Sequence, residues 1–422
     1  MFREGDTMSG FRFVTTLVGC AVLLGVGQVA EAQGCVSAAC TGDSVVDHLF
    51  TSGSRWRFNV RNCPCEGLFI EAASFTPRGG VARRVLGQAS LAEIHVPYLV
   101  GTPRFLDLSR DSAGLGVSAL PWSAAECAGG TRLANDTICL NVEDRGLAWK
   151  YLNTSQRGES LSVTMASQLG AYTYINQWEF HDDGTIEPRM GLTGRLARYG
   201  GSDAYAPYGR RLNAQSAATP DYGLSHMHNV YYRLDFDIGG AADDAVERMT
   251  FQPSSAASPV NTCTTPGACG VNVVTPLLTE TAQDFSADAY TTWRIYDKNQ
   301  LNNDGRTVSY ELVPEVEGVW SGQVSTDEPW SEHELWVTRY NACETLAVGN
   351  FPPHINAGCA AARQNVSAMV DGQSVDGQDV VVWYVNRHLH TPRDEDEVNM
   401  PIEWMSFMIK PRGFHHRSPL EP

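Results

Sequence analysis

His226-Met-His-Asn-Val-Tyr-Tyr-Arg-Leu-Asp-Phe-Asp-Ile-Gly-Gly240 is the stretch that decides how this chain reads. On an extended strand alternate side chains share a face. His226 and His228 therefore point one way and can chelate one ion. Asp235 and Asp237 have the other parity and point to the opposite face. The stretch Gly377-Gln-Asp-Val-Val-Val-Trp-Tyr-Val-Asn-Arg-His-Leu-His390 repeats the pattern, with Asp379 and His390 of different parity. If the two strands are neighbours, Asp379 joins Asp235 and Asp237 while His390 joins His226 and His228. His388 shares a face with His390, so parity does not choose between them. Three imidazoles without a thiolate suit Cu(II) or Zn(II). Carboxylates with backbone carbonyls suit a hard ion such as Ca²⁺.

Outward from these stretches the chain reads as all-β. Short runs rich in Val, Tyr, Phe, Trp and Thr recur between Gly, Pro, Asn and Asp clusters, as at Leu68–Ser74, Val230–Ile238, Thr307–Val313, His333–Arg339 and Val380–Val385. A large antiparallel β-sandwich is the expected architecture. Gln252 to Gly270 and Glu315 to Glu332 read as surface loops. In Gly170-Ala-Tyr-Thr-Tyr-Ile-Asn-Gln-Trp-Glu-Phe-His-Asp-Asp-Gly-Thr-Ile186 a strand enters an Asp-Gly turn. Tyr172, Tyr174, Asn176, Trp178 and Phe180 share one of its faces, and on composition alone that face reads as an aromatic core stripe.

The 422 residues carry a net charge of −17, which excludes the basic face of a nucleic-acid binder. Arg12, the apolar run Phe13 to Val29 and Ala30-Glu31-Ala32 read as a signal peptide over residues 1–32. A lipoprotein box at Cys20 is the weaker alternative, because the apolar run continues past it. No later run is long enough to span a bilayer. Secretion or export to a periplasm follows, with a Cys-containing segment at 33–54 ahead of the main domain at 55–422. Removing Cys20 leaves ten of the 11 cysteines, an even set that suits disulfides. Cys127–Cys139, Cys263–Cys269 and Cys343–Cys359 are close in sequence. Cys63 and Cys65 pair outward, to Cys35 and Cys40, since a bridge across one residue is strained.

These blocks together resemble the catalytic domain of the copper amine oxidase family, from about Trp56 to Pro419. In order they are Arg83-Arg84, Ser90-Leu-Ala-Glu93, Val96-Pro-Tyr98, Cys127 with Cys139, Tyr172-Thr-Tyr174, Asp183-Gly-Thr-Ile186 and His226-Met-His228. Arg233-Leu-Asp-Phe-Asp-Ile238, Glu334-Leu-Trp-Val-Thr338, Asp379-Val-Val-Val-Trp-Tyr384, Leu389-His-Thr-Pro392, Met400-Pro401 and Lys410-Pro-Arg-Gly-Phe414 follow. The resemblance implies that Tyr172 is oxidised to a topaquinone and that His226, His228 and His390 hold copper. It places Met400 near the copper and makes Tyr98 a hydrogen-bond partner of the quinone. Asp235, Phe236 (by its carbonyl), Asp237, Asp379 and Val380 (by its carbonyl) match the second, calcium-type site. Cys127–Cys139 matches a family disulfide, and a homodimer is implied.

The implied activity is oxidation of primary amines by O₂ to aldehydes, with release of ammonia and peroxide. A carboxylate must take the α-proton, as general base. Asp107 in Phe105-Leu-Asp107, ahead of Gly114-Leu-Gly116, fits that position, and Asp111 is the second candidate. Ala171 replaces the family Asn beside the modified Tyr, and Thr173 replaces the acidic residue after it. The smaller N-terminal domains of the family are absent from the matched stretch. A secreted copper-binding relative that forms no quinone is therefore the alternative, and a zinc hydrolase on the same histidines predicts no dependence on O₂. Asp297 to Gly305 resembles an EF-hand loop but lacks its sixth-position Gly. His415-His416 reads as a solvated tail.

Overall fold

The computed structural model describes residues 35, 39–254, 265, 267, 269–318, 320–322, 327–350, 359 and 363–421. The expected signal peptide, with Cys20, and Cys263, the expected partner of Cys269, lie outside the described residues.

Two large antiparallel sheets form the molecule, of nine and twelve strands among the described residues, with a small three-stranded sheet beside them. The expected sandwich is what the chain folds into. His226–Phe236 lies in the middle of the nine-stranded sheet, between Arg83–Pro97 and Val380–His390. It is buried along its whole length. Val230, Tyr232, Leu234 and Phe236 enter the core between the sheets. Tyr231, on the other parity, packs into a second cluster with Trp336, Val381 and Trp383. Both faces are thus covered, and the two parities read from the sequence become an inner and an outer face.

Tyr172–His181 lies inside the twelve-stranded sheet, between Thr154–Leu169 and Ile186–Gly194. Its aromatic stripe faces the other sheet. Phe180 stacks on Phe58 at 4.3 Å between ring centroids, and Trp178 meets Tyr232 edge-on at 5.9 Å. The expected Asp-Gly turn closes the hairpin, with Gly184 at φ 92°, where only Gly is unstrained.

The described residues of the segment 33–54 are continuous with this architecture. Its strand Thr41–Leu49 pairs with Arg55–Cys63 at the edge of the nine-stranded sheet. Cys35–Cys65 and Cys40–Cys63 bridge it to the following turn, and Cys127–Cys139 and Cys343–Cys359 also form. The loop expected from Gln252 begins later, because Asp244–Ser254 and Cys269–Leu277 pair as far as Ser254 opposite Cys269.

The disulfide-tied turn carries a second segment. Leu115 and Gly116 donate backbone hydrogen bonds to the carbonyls of Cys65 and Pro64. A Cβ on Gly116 would stand 2.0 Å from the Cys63 carbonyl oxygen. Gly116→Ala is therefore expected to destabilise the fold by about 1–3 kcal/mol through overpacking. A calorimetric scan with no fall in Tm would show that the segment shifts freely.

Candidate active site

The register sets His226 opposite His390 and His228 opposite His388. One donor atom from each of His226, His228 and His390 lies within 4.8 Å of the others. All three rings are buried, and burial holds His226 down at about 3 and His228 well below the usual imidazole range. Burial lowers His390 too, so all three rings are shifted toward the neutral form that metal ligation requires. His226 Nδ1 donates to the Leu224 carbonyl at 2.8 Å, which leaves Nε2 as the free lone pair. Both nitrogens of fully buried His228 lack a hydrogen-bond partner. An unsatisfied buried imidazole is costly, and a Cu(II)-type ion bound there removes that cost. His388 is engaged elsewhere, between Glu317 at 2.8 Å and Glu403 at 2.9 Å. Of the two residues that share a parity, His390 is thus the one in the cluster.

Tyr172 reaches this cluster from the opposite sheet. Its hydroxyl lies 3.0 Å from His226 Nε2 and 2.5 Å from His390 Nδ1. Tyr98 lies flat on the His226 ring at 4.6 Å, with Tyr199 5.8 Å away, so it forms a wall of the site. Met400 is buried and opens the strand Met400–Ser406. It pairs with Gly194, which in turn pairs with Tyr172.

Asp107 and Asp111 occupy different settings. Tyr174 donates its hydroxyl to Asp107 Oδ2 at 2.7 Å, and burial pushes the Asp107 carboxyl up to about 7. Asp111 accepts from the Leu106 backbone N–H at 2.6 Å and from Arg110, so it caps its own loop. Glu93 lies beneath that loop, where it accepts from the Ile94 and Leu108 N–H groups and from Ser109 Oγ.

On the outer face of the same strands, carboxylate oxygens of Asp235, Asp237 and Asp379 lie within 4.8 Å of one another. One oxygen each of Asp235 and Asp379 is buried without a partner. Burial raises Asp235 to about 8 and Asp379 to about 6. Phe236 and Val380 stand opposite each other within the cluster. A Cβ on Gly87 would come within 2.7 Å of Asp237 Oδ2, so the glycine leaves the carboxylates their room. Three crowded carboxylates fit a hard cation. Treatment with EGTA is expected to lower Tm by several degrees, and added Ca²⁺ to restore it. An unchanged melting curve would leave these carboxylates without an ion to hold.

The sequence profile described as copper amine oxidase, enzyme domain, matches residues 115–421. The chain belongs to the copper amine oxidase family. It is 26% identical over 395 residues to a primary amine oxidase of Arthrobacter sp. (strain P1), covering 86% of this chain and 58% of that protein. To a primary amine oxidase of Klebsiella aerogenes it is 26% identical over 421 residues, covering 90% and 53%. The fold matches a copper-containing benzylamine oxidase from Hansenula polymorpha with a TM-score of 0.74 at 20% identity, covering 89% of this chain and 62% of that one. The chain thus spans about half to three-fifths of the length of curated relatives that it matches. Among the described residues no helix is long and apolar enough to cross a membrane.

Around this candidate site are three residues that sequence reasoning did not single out. Asp396 Oδ2 lies 3.5 Å from His390 Nε2 and orients that ring from behind. Tyr174 reads from sequence as core, yet its hydroxyl holds Asp107. Glu93 lies inside a quoted motif, but only the fold shows that it anchors the Asp107 loop. A lone carboxylate in a hydrophobic strand was the available signal for Glu93, and the Asp-rich run after His390 was the signal for Asp396.

Proposed function

We propose that this protein is an exported copper- and topaquinone-dependent oxidase that converts primary amines and O₂ to aldehydes, ammonia and hydrogen peroxide. The observation that carries this reading is Tyr172, whose hydroxyl meets two of three clustered histidines while its neighbour Tyr174 holds the half-buried carboxylate of Asp107. The printed activities of the relatives from Arthrobacter and Klebsiella support it. Copper would be held by His226, His228 and His390, and Tyr172 would be the quinone precursor. When present, these groups supply an electrophilic carbonyl and its reoxidation by O₂.

The chain's own residues do the rest. Asp107 is the general base and takes the α-proton of the amine at its carboxylate. Tyr174 fixes that carboxylate, Glu93 fixes the loop behind it, and Tyr98 closes one side of the ring's pocket. Asp111 serves the loop. The Asp235, Asp237 and Asp379 cluster, with the Phe236 and Val380 carbonyls, is the calcium-type structural site. Disulfides suit an oxidising compartment, which supports export. Assembly as a homodimer completes the proposal.

The test is aerobic incubation of metal-free protein with Cu²⁺. The Tyr172 peptide is expected to gain two oxygen atoms and lose two hydrogens, with a visible band that phenylhydrazine removes. An unmodified Tyr172 in copper-loaded protein would overturn the reading in favour of a copper-binding relative without a quinone. Ala171 is the feature that favours that second reading, since it has no side-chain amide to orient the adjacent ring. Ala171→Asn is accordingly expected to speed quinone formation by about tenfold, within the range that orientation alone commands. Equal rates in stopped-flow absorbance would show that position 171 does not limit the reaction.

A further inference from the structure

Tyr172 and His181 stand at opposite ends of one strand, roughly 30 Å apart at the rise of an extended chain. Glu179 and His181 lie on the parity opposite to the aromatic stripe, facing away from the copper cluster. Glu187 lies directly across from Glu179 on the neighbouring strand. Like charges placed directly opposite on paired strands destabilise a sheet, so this pair needs a counter-charge.

The geometry around His181 shows what kind. His181 Nε2 lies 3.5 Å from Glu179 Oε2 and 3.7 Å from Glu187 Oε2. The three donor atoms all fall within 4.8 Å of one another. Charge-assisted hydrogen bonds close to about 2.7–2.9 Å, and these separations are longer. They are close to the edge of a tetrahedron around an ion with ligand bonds near 2.0–2.2 Å, which is roughly 3.3–3.6 Å. Arg189 takes the other oxygens. It bonds Glu179 Oε1 and stands 3.9 Å from Glu187 Oε1, and it is held in place over the Trp404 ring at 4.6 Å. Both carboxylates are thereby turned so that their Oε2 atoms converge with the imidazole, as outer-shell partners orient metal ligands. The three side chains keep 10%, 10% and 16% of their exposure, enough for an ion to enter and for water to complete its shell.

We propose that Glu179, His181 and Glu187 form a further metal site, separate from the copper and carboxylate clusters, for a divalent first-row ion of the Zn²⁺ class. One imidazole and two carboxylates suit such an ion better than Ca²⁺. Arg189 is the positioning residue.

The experiment titrates metal-free protein with Zn²⁺ in excess Ca²⁺, counting bound zinc by equilibrium dialysis and elemental analysis. Wild type is expected to bind one more Zn²⁺ per chain than either His181→Gln or Glu187→Gln. Zinc should also raise the Tm of wild type by a larger step than in either variant. Glu187 is partly exposed, so Glu187→Gln keeps the test intact if His181→Gln misfolds. Arg189→Met is expected to weaken the extra zinc by at least about tenfold while leaving the count unchanged at saturation. Equal stoichiometry in wild type and in folded Glu187→Gln would overturn the proposal and leave an Arg–Glu–His charge network.

Discussion

Tyr172→Phe is expected to yield folded protein that still binds copper and oxidises no amine. The side chain keeps its ring in the core but loses the hydroxyl that meets His226 and His390. Without that oxygen the ring is not in place to be oxidised, and the catalytic carbonyl never forms. The expected loss is complete, to the background rate, with no visible band after aerobic copper loading. Copper content by elemental analysis should remain near wild type, since the three imidazoles are untouched. Residual peroxide production from a primary amine above a few per cent of wild type would remove Tyr172 from its proposed role.

Asp107→Asn carries the second large effect. General-base catalysis contributes about 10²–10⁴-fold, so kcat should fall by that factor while the quinone still forms. The pH profile supplies the sign. The base works only when ionised, and burial has raised the Asp107 carboxyl to about 7. Wild-type activity should therefore rise with pH, pass half its plateau near 7 on the acid limb, and lose that limb in the variant. Asp111→Asn is the control. Its carboxylate caps a backbone N–H in its own loop, so it should lower Tm and leave kcat within a few-fold. The reverse outcome, with Asp111→Asn slow and Asp107→Asn near wild type, would exchange the two roles.

Much of this site was legible before any fold was known, because strand parity is a local property. His226 and His228 against Asp235 and Asp237, and Asp379 against His390, follow from a period of two. What parity could not supply was the partner strand. His388 and His390 are equivalent by period, and only the glutamates at 317 and 403, brought from other segments, engage His388. Asp107 and Asp111 were inseparable for the same reason. Their difference lies in Tyr174, 67 residues away and on the other sheet. The Tyr172 stripe was ambiguous because the inward face of a sandwich strand builds core and site from the same residues. Trp178 and Phe180 fill the one, and Tyr172 opens onto the other. The pairing of Thr41–Leu49 with Arg55–Cys63 was hidden because an edge strand is defined by its neighbour more than by its own composition.

The pairing of His226–Phe236 with Val380–His390 has an evolutionary and a kinetic consequence. Sliding either strand by one residue would turn that strand's imidazoles outward and its carboxylates inward, away from those of its partner. Both clusters would vanish together, although they lie on opposite faces and share no ligand. Point substitutions between His228 and Asp235 can drift within the limits of packing. A one-residue insertion or deletion there would bring the imidazoles and the carboxylates to the same face, so at least one of the two clusters would be lost. The same linkage runs in the folding direction. An ion captured at one cluster while the strands are still finding each other would favour the single alignment that builds the other.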